Sequence, residues 1–261
     1  MYLSRDKIRQ ALKENFTDKL KSVHFNIPTA ATALNAHIET EPTSSLITNT
    51  VINENGIKFH VDWDKGQKTG FFLDQRDNRR LLGSLSTAKT VLNCFCYTGG
   101  FSMYALKNDA AHVTSIDISE WATHQVKLNE QLNKLSTSKH EIITGNVMDY
   151  LNPKNESKFD IVVIDPPAFA KNQKKRHNAV QAYKRLNKMA MSKVKKGGLL
   201  FTFSCSQVVS SELFTHTVRA AAIEAKRNIR ISLQLTQGHD HPINIFHPEG
   251  SYLKGLVLYI D

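Results

Sequence analysis

Ile161-Val162-Val163-Ile164-Asp165-Pro166-Pro167-Ala168-Phe169 runs from four β-branched residues into an acid, two prolines and an aromatic. A short apolar run closed by a turn reads as a strand buried on both faces. The prolines stop it, because they fix φ and remove two backbone donors. About forty residues later, Gly197-Gly198-Leu199-Leu200-Phe201-Thr202-Phe203-Ser204-Cys205-Ser206 repeats the design, with a cysteine where the first has an acid. In a parallel α/β sheet, ligands sit just beyond the carboxyl ends of the strands. Asp165, Pro166, Pro167, Phe169 and Cys205 are therefore expected to line one cleft, the Pro-Pro turn offering a rigid edge to a flat ligand.

Outward from these two strands the pattern alternates. Strands are expected at 90–95, 112–117, 140–144, 159–164, 198–204, 229–236 and 252–260. Helices are expected at 75–85, 101–108, 119–133, 147–151, 177–195 and 208–226. Such alternation predicts an α/β domain over 71–261 with a seven-stranded, mostly parallel, Rossmann-like sheet covered on both faces. The final strand follows its predecessor through a loop alone, so it is expected to enter antiparallel. Residues 1–70 read as a smaller α+β segment. It would hold a helix from Ser4 to about Leu20, with Ser4 as N-cap and Ile8, Leu12 and Phe16 on one stripe. A Thr/Ala/Asn-rich loop over 28–45 follows. Two strands, SLITNTVI and IKFHVDW, then meet through Asn53-Glu54-Asn55-Gly56.

Composition narrows the class. The three cysteines, 94, 96 and 205, form neither a disulfide framework nor a zinc quartet, which fits a reduced, cytoplasmic protein. No apolar run reaches the roughly 20 residues of a membrane span, and MYLSRDKIRQALKENF reads as a charged helix rather than a signal peptide. The formal net charge is +10, and it is concentrated. Lys171 to Lys196 holds ten of the 34 basic residues and no acid, leaving 24 basic against 24 acidic residues elsewhere. The run opens beside Phe169 with Lys171, Lys174, Lys175 and Arg176, which points to a polyanion at the mouth of the cleft.

Asn93-Cys94-Phe95-Cys96-Tyr97-Thr98-Gly99-Gly100-Phe101-Ser102 is a strand-to-helix turn whose two glycines permit close backbone approach to a ligand. Asp117 ends the next strand, where a carboxylate suits a ribose diol. The phosphate-cradling Gly-x-Gly-x-x-Gly is missing, since Tyr97 and Thr98 fill its early positions. S-adenosyl-L-methionine, which has no pyrophosphate, fits better than a nicotinamide dinucleotide. Asn146 closes the third strand, where an amide could hold adenine. Arg76 could meet a methionine carboxylate, while Asp74 beside it reads equally as an N-cap. Cys94 and Cys96 are expected to share one face of a strand end and to pack. His239, His241 and His247 have no metal-ligand spacing, and no metal is expected.

The chemistry that joins these parts is base methylation. A thiolate at Cys205 adding to carbon 6 of a pyrimidine makes carbon 5 nucleophilic. Asp165 would hydrogen-bond nitrogen 3 or the exocyclic amine, and Phe169 would stack on the ring. Three other readings compete: methylation of a base nitrogen (guanine-7 or adenine-N6), a catalytically idle RNA-binding protein, and, most distantly, a nicotinamide dehydrogenase.

Taken together, GQKTGFFLDQRDNRR, NCFCYTGGFS, DPPAFAK, FTFSCSQ, DHP and PEGSYLKG resemble the RlmI-like bacterial methyltransferases that form 5-methylcytosine in large-subunit ribosomal RNA. The likeness implies the class I S-adenosylmethionine-dependent methyltransferase fold. It also implies Cys205 as nucleophile, Asp165 as its partner, and a cofactor pocket at Tyr97, Gly99, Asp117 and Asn146. Members of that family begin with an RNA-binding PUA domain. The resemblance here starts inside the family's middle segment, which predicts a shortened chain. Asn146 stands where the family commonly has an acid, and Ala168 where several relatives have Lys. Ribosomal RNA is the implied partner, no membrane is expected, and the oligomeric state is open between monomer and homodimer.

Overall fold

The computed structural model describes residues 4–20, 23, 49–170 and 172–261. Two compact units emerge, Met1–Val51 with Val61–Phe71, and Ile52–His60 with Phe72–Asp261. The larger unit thus takes in Ile52–His60, most of a strand hairpin, from the segment that the sequence assigns to 1–70.

In the smaller unit, helix α1 spans Arg5–Phe16 and a 3-10 turn continues to Lys19. Ser4 precedes it but makes no side-chain cap, and Ile8 and Leu12 are half-buried while Phe16 is exposed. The expected loop over 28–45 lies outside the described residues, as does the start of SLITNTVI. Strands β1 (Asn49–Glu54) and β2 (Ile57–Asp62) form a two-stranded sheet, of which Ile52–His60 belongs to the larger unit. The turn is tighter than the sequence suggests, because Asn55 and Gly56 alone carry positive φ, 52° and 81°.

The larger unit carries strands β3 (Thr90–Cys94), β4 (His112–Asp117), β5 (His140–Thr144), β6 (Phe159–Ile164), β7 (Val194–Ser204), β8 (Ile229–Leu235) and β9 (Lys254–Ile260). Its helices are α2 (Arg76–Ser84), α3 (Gly100–Lys107), α4 (Glu120–Leu132), α5 (Val147–Tyr150), α6 (Arg176–Lys193) and α7 (Ser211–Ala225). The sheet order is β5-β4-β3-β6-β7-β9-β8. Strands β3 to β7 are parallel, and β9 runs antiparallel to both β7 and β8, as the loop connection implies. Leu92, Val162, Leu200 and Leu258 cross the middle of the sheet fully buried. Apolar residues on both faces explain why these strands read as continuous apolar runs rather than alternating ones.

Three helix starts follow side-chain caps. Ser119 accepts from Ala122 N, Asn146 from Met148 N and Ser210 from Leu213 N. Ser210 sets the start of α7 three residues later than the apolar pattern predicts. Strand β7 begins earlier than expected, at Val194, and passes through Gly197 with φ 79° and Gly198. A Cβ on Gly198 would lie 2.6 Å from Asp160 O, where the β6–β7 register shifts. Glycine is needed there for close backbone approach.

Candidate active site

The chain leaves β3 for β4 and β5 on one side, then returns to β6 on the other. A reversal of strand order opens a crevice at the carboxyl ends of β3 and β6. The β3–α3 turn and Asp165 therefore stand together at this switch point, and Cys205 follows the end of β7, the next strand over.

The β3–α3 turn is held under strain. Phe95, Tyr97 and Gly99 all have positive φ, 57°, 48° and 80°. For the two aromatic residues this is unfavourable and must be held by surrounding bonds. Cys96 N donates to Ile116 O at 3.0 Å and Gly99 N to Cys96 O at 2.8 Å. Tyr97 N donates to Asp117 Oδ2 at 2.9 Å, and Ser119 N to Asp117 Oδ1 at 3.0 Å. Each Asp117 oxygen accepts one backbone bond and keeps acceptor capacity for a ribose hydroxyl. The half-buried rings of Phe72, Tyr97 and Trp121 form a line beside it, with centroids 5.3 and 5.8 Å apart. This oriented acid beside an aromatic wall fits an adenosyl group.

One detail revises the expectations for this turn and another adds to them. Strand β3 ends at Cys94 and Phe95 leaves extended geometry, so Cys94 and Cys96 do not alternate along one strand. Both are buried, and burial pushes both thiols up. Gly100 also packs closely against a side chain of the fold. A Cβ there would meet Arg79 Cδ at 2.9 Å, while one on Gly99 would meet Val126 at 3.0 Å. Arg79 is itself buried, in a two-bond pair with Glu54 at 2.8 and 2.7 Å.

Thr98 is buried, and its carbonyl accepts from Asn129 Nδ2. Asn146 lies exposed at the end of β5, with its side-chain oxygen spent on Met148 N and its amide NH₂ left to donate. Ile118, directly after Asp117, is 73 % exposed. The sequence reading passed over it. An apolar side chain left open beside a strand-end acid would suit the flat face of adenine, and its place after that acid is the signal that could have found it.

Arg76 Nη1 donates to Asp240 Oδ2 at 2.7 Å and its Nε to Asp77 at 3.2 Å. Its fork is engaged by two carboxylates of the chain. Asp74 is not a cap, for its carboxylate accepts from Tyr252 OH at 2.6 Å. His241 pairs with Asp240 at 3.1 Å and His239 with Asp77 at 3.6 Å.

On the chemistry side, Asp165 is half-buried between buried Ile164 and Pro166. Gln75 Nε2 donates to Asp165 Oδ2 at 2.9 Å. The Gln75 oxygen accepts from Asn78 Nδ2 at 2.7 Å, which turns its NH₂ toward the carboxylate. Cys205 is half-buried, whereas Ser204 and Ser206 on either side are fully buried. Ser206 Oγ donates to Ala170 O at 2.8 Å, tying the cysteine turn to the Pro-Pro loop. One side of Phe169 is taken by Tyr183, with ring centroids 4.6 Å apart. Burial pushes the Tyr183 phenol up to about 12.

The basic stretch divides into two populations. Lys184 and Lys188 pair with Glu224, Lys195 pairs with Asp160, and buried Lys193 donates to the carbonyls of Asn152 and Asn155. These lysines are engaged within the fold. Lys174, Lys175 and Arg176 are exposed at the start of α6, while Lys171 lies outside the described residues. The polyanion surface expected over the whole run contracts to that first turn; Arg185 and Lys196 are also exposed but lie further along the chain.

The sequence matches the S-adenosylmethionine-dependent methyltransferase family over residues 32–228. It is 45 % identical over 210 residues to the Ribosomal RNA large subunit methyltransferase I of Aeromonas salmonicida, covering 80 % of this chain and 53 % of that protein. The protein of the same name from Tolumonas auensis is 46 % identical over 211 residues, with the same coverage. The chain spans about half the length of the curated relatives it matches. Among solved structures, SMU.776, described as a candidate methyltransferase and determined with SAH, superposes with a TM-score of 0.81 at 24 % identity. That alignment covers 99 % of this chain and 66 % of the other. Trm5b from Pyrococcus abyssi gives 0.63 at 19 % identity, over 83 % of this chain and 57 % of the other. The switch-point crevice and the family match agree, and the chain belongs to the S-adenosylmethionine-dependent methyltransferases.

Proposed function

We propose that this chain methylates carbon 5 of a cytosine in large-subunit ribosomal RNA through a covalent adduct with Cys205. The observation that carries the reading is the placement of Cys205 and Asp165 at the carboxyl ends of adjacent parallel strands, at the switch-point crevice. The name shared by the relatives at about 45 % identity supports the substrate class.

The bound cofactor would supply an electrophilic methyl group. The remaining steps fall to the protein. The Cys205 thiolate adds to carbon 6, and the electrons of the carbon 5–carbon 6 bond become available at carbon 5. Asp165, fixed by Gln75, accepts a hydrogen bond from the exocyclic amine, or when protonated donates one to nitrogen 3, and so orients the ring. After methyl transfer, loss of the carbon-5 proton restores the double bond and expels the cysteine sulfur. The target base must leave its stack to reach such a site. Lys174, Lys175 and Arg176 would hold flanking phosphates, and the segment 1–70 would add RNA contacts ahead of the catalytic domain 71–261. A cytoplasmic location follows from this substrate.

The test is incubation with methyl-labelled S-adenosylmethionine and unmodified large-subunit ribosomal RNA, beside a Cys205→Ala control, followed by digestion to nucleosides. Label in 5-methylcytosine that vanishes in the control is the expected result. Label in another nucleoside that survives the control would overturn the adduct mechanism.

A further inference from the structure

Lys254 is an unusual lysine: only 7 % of it is exposed. Its ammonium donates to Ser206 O at 2.7 Å and to Tyr252 O at 2.8 Å. Among the described residues it forms no ion pair with a carboxylate. A buried ammonium without a counter-charge is costly, and burial alone drives such a group toward its neutral form. Its surroundings place it around one side chain. In the β7–β9 register Lys254 stands opposite Ser204, the residue before Cys205. Its Nζ then bonds the carbonyl of Ser206, the residue after Cys205. The lysine brackets the cysteine from both sides.

We propose that Lys254 is the counter-ion of Cys205, a positioning residue that holds the thiol in its thiolate form. The proposal rests on the reading of Cys205 as nucleophile. A thiolate beside a cation is favoured over the thiol, whose free pKa is about 8.5. Other groups facing Cys205 act differently. Asp165, at the end of β6, carries a negative charge that opposes the thiolate. Tyr183 on α6 and Tyr252 before β9 are both pushed up, chiefly by burial, and stay neutral. Asp74 is engaged by the Tyr252 hydroxyl. Lys254 thus supplies the positive charge that offsets Asp165. Burial lowers the Lys254 pKa and the cysteine acts to raise it, as a mutual pair requires.

The fold contains its own comparison. Lys193 is 1 % exposed and also donates to two carbonyls, those of Asn152 and Asn155, well away from any thiol. A lysine that only ties loops together should behave like Lys193. Alkylation of Cys205 by iodoacetamide, followed from pH 5.5 to 10 with the site read by peptide mass spectrometry, separates the two roles. Wild type should show a midpoint below about 8.5. Lys254→Gln, which keeps donors but loses the charge, should move it up by about one pH unit and slow alkylation at pH 7 about tenfold. Lys254→Arg should keep most of the wild-type curve, and Lys193→Met should leave it unchanged. An unmoved midpoint in folded Lys254→Gln would overturn the proposal. Should that variant not fold, a wild-type midpoint at or above about 8.5 would do the same. The curve is read without RNA or cofactor, so absence of 5-methylcytosine product leaves it standing. Product formation with an unmoved curve removes Lys254 while the methylation reading survives.

Discussion

Gln75 donates its side-chain amide to Asp165 across 90 residues of sequence, at 2.9 Å. The bond fixes one carboxylate oxygen, and the Asn78 donation to Gln75 fixes the amide in turn. Asp165 thus stands at the crevice with one oxygen already oriented.

Replacing Gln75 by Leu should lower methyl transfer about tenfold to a hundredfold, the cost of a hydrogen bond to a charged group. Thermal stability should change little, because the carboxylate remains half-exposed to water. Single-turnover assays beside a melting curve check both halves. Unchanged turnover would remove Gln75 from the positioning of Asp165.

The divided basic stretch predicts a divided response to salt. Each phosphate contact contributes about 0.7 to 0.9 to the slope of log affinity against log salt. Lys174→Ala, Lys175→Ala and Arg176→Ala together should reduce the slope for RNA binding by about two to three. Lys184→Ala with Lys188→Ala should change it by less than about one, since Glu224 already pairs with both. Filter binding across a salt series distinguishes the sets.

A buried polar chain under the cofactor turn predicts acid sensitivity. His140 Nδ1 lies 3.0 Å from Glu130 Oε1, and its Nε2 lies 2.7 Å from Ser115 Oγ. Burial, helped by His112, pushes His140 down to about 4 from 6.5, and burial pushes the Glu130 carboxyl up. Between about 4 and 6.5 the unfolded chain binds a proton at this histidine that the native state refuses. The stabilisation is therefore complete above about 6.5 and is lost as pH falls toward 4. Glu130 acts in the opposite direction near its own ordinary value, so the net loss should be about 1–3 kcal/mol. Urea unfolding at pH 7 and 4.5 should show it, and His140→Gln should flatten the difference. An equal difference in the variant would point to other groups.

Arg79→Met should destabilise the fold by about 3–5 kcal/mol, because it leaves Glu54 buried and unpaired. Gly100→Ala presses a methyl against the same arginine and should cost about 1–3 kcal/mol. Urea midpoints give both values. A Gly100→Ala protein as stable as wild type would show that Arg79 can shift without loss.

Much of this architecture is written locally. The apolar runs before Asp165 and Cys205 can be buried only as central strands, and Asp117 ends its strand in sequence as in space. Hydrophobic periodicity and turn chemistry are properties of neighbouring residues, so strands, helices and the two strand-end motifs are legible from the chain alone. The bounds that moved did so where a cap or a close backbone approach intervened, as at Ser210 and Gly198.

What only the tertiary structure decided depends on partners distant in sequence. Charge counting could not separate Lys184, Lys188, Lys193 and Lys195 from Lys174, Lys175 and Arg176, because Glu224, Asp160 and two loop carbonyls lie elsewhere in the chain. The Arg79 side chain that packs against Gly100 comes from another helix and is not readable from the glycine pair. The insertion of β9 between β7 and β8 brings Lys254 to the Ser206 carbonyl beside Cys205, and the turn before α2 brings Gln75 to Asp165. A sequence shows which side chains can carry charge or donate a bond. Only the folded chain fixes which of them are desolvated together, and there a single ammonium or amide can set the chemistry.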